Sequence, residues 1–301
     1  MALARSNPLL SVLIPAYRYP AGVRRILAAL GPSVPPGMEL VISDDSPDDS
    51  VQREVESWRE RTGGSCRYRR NCPALGAVPN WNTLLEEASG EYCWLLHHDE
   101  YPLGANFLPS LLGLLSGAAA QDVVLLDCIL FDPADRRIRR HVAQWLRAHI
   151  ARKHPGYLLR RNVIGPVSAL VVRRRLFPRF DIRLKWLVDV DAYVALFAGK
   201  PTLWAGPGLQ LGSILGRRDS ITAGLGQRVR QIAEEEKVYL REKWPFAGQW
   251  LGRAGLDLVS RLEPVFWAAF RFGQLAHARV TPPPVPAGDL ARSWAAIPPL
   301  Q

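Results

Sequence analysis

Between residues 9 and 132 the chain keeps exchanging one hydrophobic period for another, and this exchange constrains its fold more than any other feature. "LLSVLIPAY" is a continuous apolar run of strand length, and "AGVRRILAAL" follows with apolar positions at helical spacing. "MELVISDD" reads as a second strand, and "DDSVQREVESWRERTGG" as an amphipathic helix with an acidic start, a basic finish and a glycine stop. "CRYRRN", "EYCWLLH" and "DVVLLDCILFD" continue as strands, separated by the helical stretches "NWNTLLEEASG" and "ANFLPSLLGLLSG". Strands alternating with helices in this way predict an α/β domain, a largely parallel central sheet with helices on both faces.

Beyond residue 133 the pattern is less regular. "RRIRRHVAQWLRAHIARKH" reads as one basic amphipathic helix after a turn at "DPADRR", "VSALVVRR" as a strand, and "LVDVDAYVALFAGK" as a helix closed by Gly199. A long helical stretch begins after Leu225, and "TPPPVPAGDL" opens a Pro-rich tail. We expect a domain over 1–225, a helical extension over 226–280 and a flexible tail over 281–301.

With 301 residues, 48% of them hydrophobic, the chain can bury a sizeable core. Its net charge of +10 suits anionic partners. The basic residues are scattered and no nucleic-acid-binding motif surrounds them, so nucleic acid is not expected among these partners. The four cysteines form no CxxC pair and no zinc spacing. Cys93 and Cys128 read as buried thiols in strands, whereas Cys66 and Cys72 could approach one another. No segment has a signal-peptide layout or enough uninterrupted apolar residues to span a bilayer. A cytoplasmic protein is therefore expected, one that could lie peripherally at the inner face of the membrane through the Trp-, Phe- and Arg-bearing stretch "WLGRAGLDLVSRLEPVFWAAFRFGQLAHARV". A helical hairpin packed on the domain or on a second copy explains that stretch equally well.

The chemistry concentrates at the strand ends. The strands finish in "PAYR", "SDDSPDD", "RRN" and "HHDE", and ligands of open α/β sheets bind beyond the carboxyl ends of strands. A single acidic ending would be an ordinary turn or helix cap, which remains the reading for Asp48, Asp49 and Ser50. Several consecutive strands converging on polar tips describe a site.

This combination resembles the family 2 glycosyltransferases, nucleotide-sugar enzymes of GT-A fold. "SVLIPAYRYP" is similar to the opening strand with its IPxYN pattern, although Arg18 stands in the Asn place. "LVISDDSPDDS" resembles the VDDGSxDxT segment, with Ser46-Pro47 where Gly-Ser is usual. "NCPALGAVPNWNTLLEEASGEYCWLLHHDE" looks like the following stretch that ends in LDxDD, with Asn71, Gly76, Asn80 and Gly90 in place. "NVIGPVSALVVRRRLF" and "FDIRLKWLVDVDAYVALFAGK" resemble the acceptor-side segment ending in the ED motif.

The resemblance implies a divalent metal, Mn²⁺ or Mg²⁺, that neutralises the charge developing on a leaving diphosphate. The family's DxD aligns with His97-His98-Asp99, and Glu100 follows. Asp99 is the expected metal-facing carboxylate, and His97 takes the place of the first Asp. Imidazole suits Mn²⁺ better than Mg²⁺. Alternation along a strand would put His98 on the opposite face from His97 and Asp99, where packing is the simpler role.

On the donor side the resemblance places Pro15 and Tyr17 along the base pocket. Asp45 takes the role of the carboxylate that holds the base, with Asp44 beside it, although an Asx turn suits Asp44 at least as well. Asn80, His97 and His98 complete the donor side. The Arg69-Arg70 pair at the third strand's tip, for which plain solvated charge is an equal alternative, and Arg217 and Arg218 in "LGRRDSITAG", are candidate diphosphate partners. On the acceptor side Asp189 aligns with the general base, Val188 replaces the Glu before it, and Asp191 is a second acid two positions on. About 200° apart on a helix, the two should not both face the site.

The implied activity is inverting transfer from a nucleoside-diphosphate sugar to a saccharide or lipid-linked acceptor, in the assembly of surface polysaccharide or glycolipid. A relative that binds nucleotide sugars without turnover is the alternative. A nucleotidyltransferase is less consistent, because "PAYRYPAG" offers no Gly-rich phosphate loop bearing a lysine.

Overall fold

The computed structural model describes residues 7–132, 137–142, 144–216 and 224–246. These lie in one compact unit. Its centre is β1 (Leu10–Ala16), every residue of which is buried, as expected of a strand flanked on both sides and covered on both faces. Parallel neighbours are β2 (Met38–Asp44) on one side and β4 (Tyr92–Leu95) on the other. The short β3 (Arg67–Arg70) continues the parallel run beside β2.

Helices connect these strands. Pro20 opens α1 (Pro20–Leu30), where a missing N–H costs nothing. The next helix, α2 (Ser50–Thr62), stops at Gly63 in the left-handed conformation. Against β1 and β2 packs α3 (Ala77–Glu87). Gly90, just ahead of β4, lies so close to β1 that a β-carbon there would stand 2.7 Å from the Ser11 nitrogen. Only glycine allows that approach.

The second half of the sheet is not parallel throughout. After β5 (Glu100–Leu103) and α4 (Phe107–Ser116) come β6 (Val123–Leu125) and, much later, β9 (Leu170–Arg173), which runs antiparallel to both β4 and β6. With β10 (Leu203–Trp204) the seven-stranded order is β10-β6-β9-β4-β1-β2-β3.

A second sheet departs from the sequence expectations. The run "DVVLLDCILFD" is two strands, since β7 (Asp127–Asp132) leaves the main sheet one residue after β6. It joins β8 (Arg137–Arg140), β11 (Gln210–Ile214) and β5 in the order β5-β11-β7-β8. The residues "RIRR", expected to start a helix, instead pair antiparallel with β7, and the helix α5 is limited to Gln144–Lys153. Pairing with a neighbouring strand overrides a local pattern that an isolated segment would favour.

Among the described residues two further α-helices bear on the site, α6 (Val188–Ala198) and α7 (Val229–Lys243). On α7, Ile232, Glu236 and Leu240 are buried. Cys93 and Cys128 are buried as expected, and all four cysteines are free thiols. Among the described residues, no helix is long and apolar enough to cross a membrane. Most of the helical extension and the whole Pro-rich tail lie outside the described residues.

Candidate active site

β1, β2, β3 and β4 run parallel, so their C-terminal ends lie along one edge of the sheet, and the acidic pair after β2 organises part of that edge. Asp44 is fully buried, accepting a hydrogen bond from the Ser46 N–H at 2.9 Å and another from the Tyr68 hydroxyl at 2.8 Å. Asp45 gathers the loop that follows β3. It accepts from Asn71 Nδ2 at 2.7 Å, the Leu75 N–H at 3.1 Å and the Gly76 N–H at 2.8 Å. Gly76 makes this possible with φ +86°, a conformation open to glycine and rare for other residues. Asn80 ties α3 to β2 through the Ser43 carbonyl at 3.1 Å. Asn80 and Asn71 thus tie the loop after β3 and the start of α3 to the end of β2, whereas Pro15 is buried in β1 and Tyr17 is 39% exposed at its tip. Arg70 is exposed at the end of β3, while Arg69 is engaged by Asn71, Ser43 and Glu87.

The polar run after β4 is a turn and not a strand. β4 ends at Leu95, and the Glu100 N–H donates to the His97 carbonyl at 3.0 Å, so the chain reverses over four residues into β5. The reversal brings ligand atoms of His97, Asp99 and Glu100 within 4.8 Å of one another. Strand alternation would have paired His97 with Asp99 alone. The turn adds Glu100, which immediately follows the expected ligand but whose inward aim depends on turn geometry that residue order does not reveal. The His97 ring lies on Trp81, with centroids 4.7 Å apart, and the His97 backbone N–H donates to the Ser168 hydroxyl at 2.9 Å. His98 turns the other way, edge-on to Tyr19 at 5.7 Å.

Two buried atoms of this cluster, His97 Nε2 and Glu100 Oε2, have no hydrogen-bond partner. Burial holds the His97 imidazole down near 4, so it is neutral and able to ligate. Burial, then the neighbouring Asp99 carboxylate, push the Glu100 carboxyl well above its ordinary range. Crowded carboxylates beside a neutral imidazole, with unspent lone pairs, fit a divalent cation of the kind that accepts mixed N and O ligands. His97, Asp99 and Glu100 would hold it.

Facing this cluster from α6 is Asp189, close enough to add to the charge acting on Glu100. Asp189 is half-buried, and its Oδ2 accepts from Asn162 Nδ2 at 2.8 Å while Oδ1 accepts from the Val190 N–H at 2.8 Å. Loss of solvent raises its carboxyl to about 7, in opposition to those hydrogen bonds. Asp191 points elsewhere. Its two oxygens accept from Lys243 Nζ at 2.7 Å and Trp244 Nε1 at 2.8 Å.

The chain just ahead of α6 is held by a residue that sequence reading passed over. Glu236 of α7, only 8% exposed, accepts from the N–H groups of Lys185, Trp186 and Leu187 at 2.5, 3.1 and 2.7 Å. No local pattern marks it, since Glu236 is one of three consecutive glutamates on a helix. Asn162 carried a faint signal, the Asx-type turn in "NVIG" that its side chain closes on Gly165. Arg217 and Arg218 lie outside the described residues.

Residues 11–177, more than half of the chain, match the model of glycosyl transferase family 2. The chain belongs to that family. Among curated proteins, 63 residues are 32% identical to an abequosyltransferase of Salmonella typhimurium, covering 21% of this chain and 19% of that one. A second match is 29% identical over 212 residues to an uncharacterized protein of Mycobacterium tuberculosis, covering 64% and 62% of the two chains. The chain thus spans less than two thirds of the length of either relative.

Solved structures show the same GT-A architecture. S. aureus TarS in complex with UDP-GlcNAc superposes with a TM-score of 0.52 at 17% identity, over 70% of this chain and 60% of that one. A mannosyltransferase of Pyrobaculum calidifontis in complex with GDP-Man and Mn²⁺ superposes with a TM-score of 0.51 at 14% identity, over 87% and 81%.

Proposed function

We propose that this glycosyltransferase is an inverting, metal-dependent enzyme that moves a sugar from a nucleoside-diphosphate donor to a hydroxyl of a saccharide or lipid-linked acceptor. Its place would be cytoplasmic, in the assembly of surface polysaccharide or glycolipid. The observation that carries the reading is the His97, Asp99 and Glu100 cluster with Asp189, a carboxylate raised to about 7, near enough to act on Glu100.

In this reading the cation, when bound, supplies positive charge to the departing diphosphate. The protein's own groups do the rest. Asp44, Asp45 and the loop they organise shape the base side, with Tyr17 at its edge. Asp189 accepts the acceptor hydroxyl's proton as that oxygen attacks the anomeric carbon from the face opposite the diphosphate. The bond from that carbon to the phosphate oxygen breaks, and its electron pair leaves with the nucleoside diphosphate. A base poised near 7 combines adequate ionisation with useful basicity at neutral pH. Asn162 aims the carboxylate, and Asp191 positions α6 through α7 without touching substrate.

A panel of UDP-, GDP-, CDP- and dTDP-sugars, with Mn²⁺ and with EDTA, tests the reading. Metal-dependent release of free nucleotide from at least one donor, stimulated by acceptor, is expected. Donor binding without turnover across a broad acceptor set would replace it with the non-catalytic alternative.

A further inference from the structure

Arg147 of α5 is completely buried, and the mechanism above leaves it unused. Its Nη1 donates to the Leu126 carbonyl at 2.8 Å and its Nη2 to the Ile164 carbonyl, while Nε has no partner. The guanidinium thus bonds two carbonyls and, among the described residues, no carboxylate. Taking a charge out of water without a bonded counter-ion is costly, and an apolar side chain of similar length would fill the space at less cost. What the two carbonyls belong to explains the choice.

Leu126 is the single residue between β6 and β7, where the chain passes from one sheet to the other. Ile164 lies in the segment 162–168, whose two ends reach the two halves of the site. At one end, Asn162 Nδ2 donates to Asp189 at 2.8 Å and to the Gly165 carbonyl at 3.0 Å. The Tyr193 hydroxyl of α6 donates to the same carbonyl at 3.0 Å. At the other end, the Ser168 hydroxyl accepts the His97 backbone N–H at 2.9 Å, and the Ser168 carbonyl accepts from Trp94 Nε1 at 2.7 Å. Trp94 belongs to β4, and the Leu126 N–H donates to the Ala169 carbonyl at 2.8 Å, so the Ser168 end has its own anchors in the sheet. Among the described residues, the Asn162 end is bonded to the sheets through Arg147.

We propose that Arg147 is a positioning residue: it pins the Asn162 end of this bridge and so sets where Asp189 stands relative to the His97, Asp99 and Glu100 cluster. The inference rests on the reading of Asp189 as the base. A guanidinium fork holds two acceptors in a fixed geometry, which a lysine ammonium on its flexible stem does not. Transfer requires the base, the acceptor oxygen and the anomeric carbon in one arrangement, so a spacing error slows the reaction while each half of the site can still bind.

The test compares Arg147→Met, Arg147→Lys, Asn162→Ala and the double variant Arg147→Met/Asn162→Ala in the full chain. Turnover is measured with a nucleotide sugar that the wild type accepts, alongside melts, Mn²⁺ calorimetry and amide hydrogen exchange. Arg147→Met should lower kcat by up to about 10²-fold with donor KM and Mn²⁺ affinity unchanged. Arg147→Lys should recover part of the rate. Exchange over residues 162–165 should quicken in Arg147→Met, a readout that needs no turnover. Because Arg147 acts through Asn162, the double variant should be no slower than the slower single one. Additive losses, unchanged exchange or a wild-type kcat in folded Arg147→Met each overturn the proposal. A loss of Mn²⁺ affinity equal to the loss of rate also overturns it, since a purely structural residue would disturb both halves of the site. If Arg147→Met does not fold, the same comparison with Arg147→Lys decides. A wild-type rate in Asp189→Asn overturns the base reading and this proposal together, whereas a slow Asp189→Asn beside a normal Arg147→Met overturns the proposal alone.

Discussion

Asp189 receives the side chain of Asn162 at 2.8 Å, from a loop 27 residues earlier in the chain. The same Asn162 closes its own turn on Gly165, so the amide is fixed before it reaches the carboxylate. Asp191, two residues along the same helix, is bound instead by Lys243 and Trp244 at the far end of α7. The two acids of "VDVD" thus face different partners, and their substitution should have different consequences.

Asp189→Asn should lower kcat by about 10²–10⁴-fold while leaving donor affinity and melting temperature nearly unchanged. Asp191→Asn should do the reverse, lowering the melting temperature by weakening a buried charged pair and reducing kcat less. Parallel turnover, calorimetry and melting measurements check this. A dead Asp191 variant with a mild Asp189 variant would exchange the two roles.

Activity should depend on pH through the same carboxylate. With Asp189 titrating near 7, log kcat/KM should rise with pH below about 7 and level above it. Stability should move oppositely. The folded state binds this proton more tightly than the unfolded chain, whose Asp titrates near about 3.9. The resulting stabilisation is complete below that value and is lost as pH rises through about 7. Melts in EDTA from pH 4 to 8 should show wild type losing stability relative to Asp189→Asn as pH rises.

Metal dependence should follow the β4–β5 turn. Asp99→Ala should abolish metal-stimulated turnover, and Glu100→Gln should weaken Mn²⁺ binding measured directly by calorimetry. Because His97 offers a nitrogen, Mn²⁺ should support activity better than Mg²⁺. Saturating Mn²⁺ should raise the melting temperature of wild type, with about 2.7 kcal/mol of stabilisation at 100 times Kd. Asp99→Ala should lack that shift.

Glu236→Ala should leave three N–H groups ahead of α6 without their acceptor, that of Leu187 buried and those of Lys185 and Trp186 partly so. A buried donor left unpaired costs about 1–3 kcal/mol, so the variant should melt lower. It should also lose kcat through misplacement of Asp189, by up to about 10²-fold if the carboxylate shifts by an ångström. Unchanged kcat in a folded variant would separate α7 from the chemistry.

Much of the site was readable in the residues themselves. Strand and helix periods over 9–132 are short-range properties, so they survive in a one-dimensional reading and predict a largely parallel sheet, whose order β3-β2-β1-β4 the structure supplies. Polar residues at successive strand ends mark the crevice for the same reason, since parallel strands place those ends together. What the residues could not specify depends on partners far along the chain. "RIRR" became a strand because β7 offers it backbone partners, and Glu100 entered the metal cluster because a four-residue reversal aims it inward. The resemblance alone favours Asp189 over Asp191 as the base, but only the tertiary structure decides what holds each acid, because Asn162 and Lys243 lie 27 and 52 residues away from them and only packing determines which carboxylate each one meets.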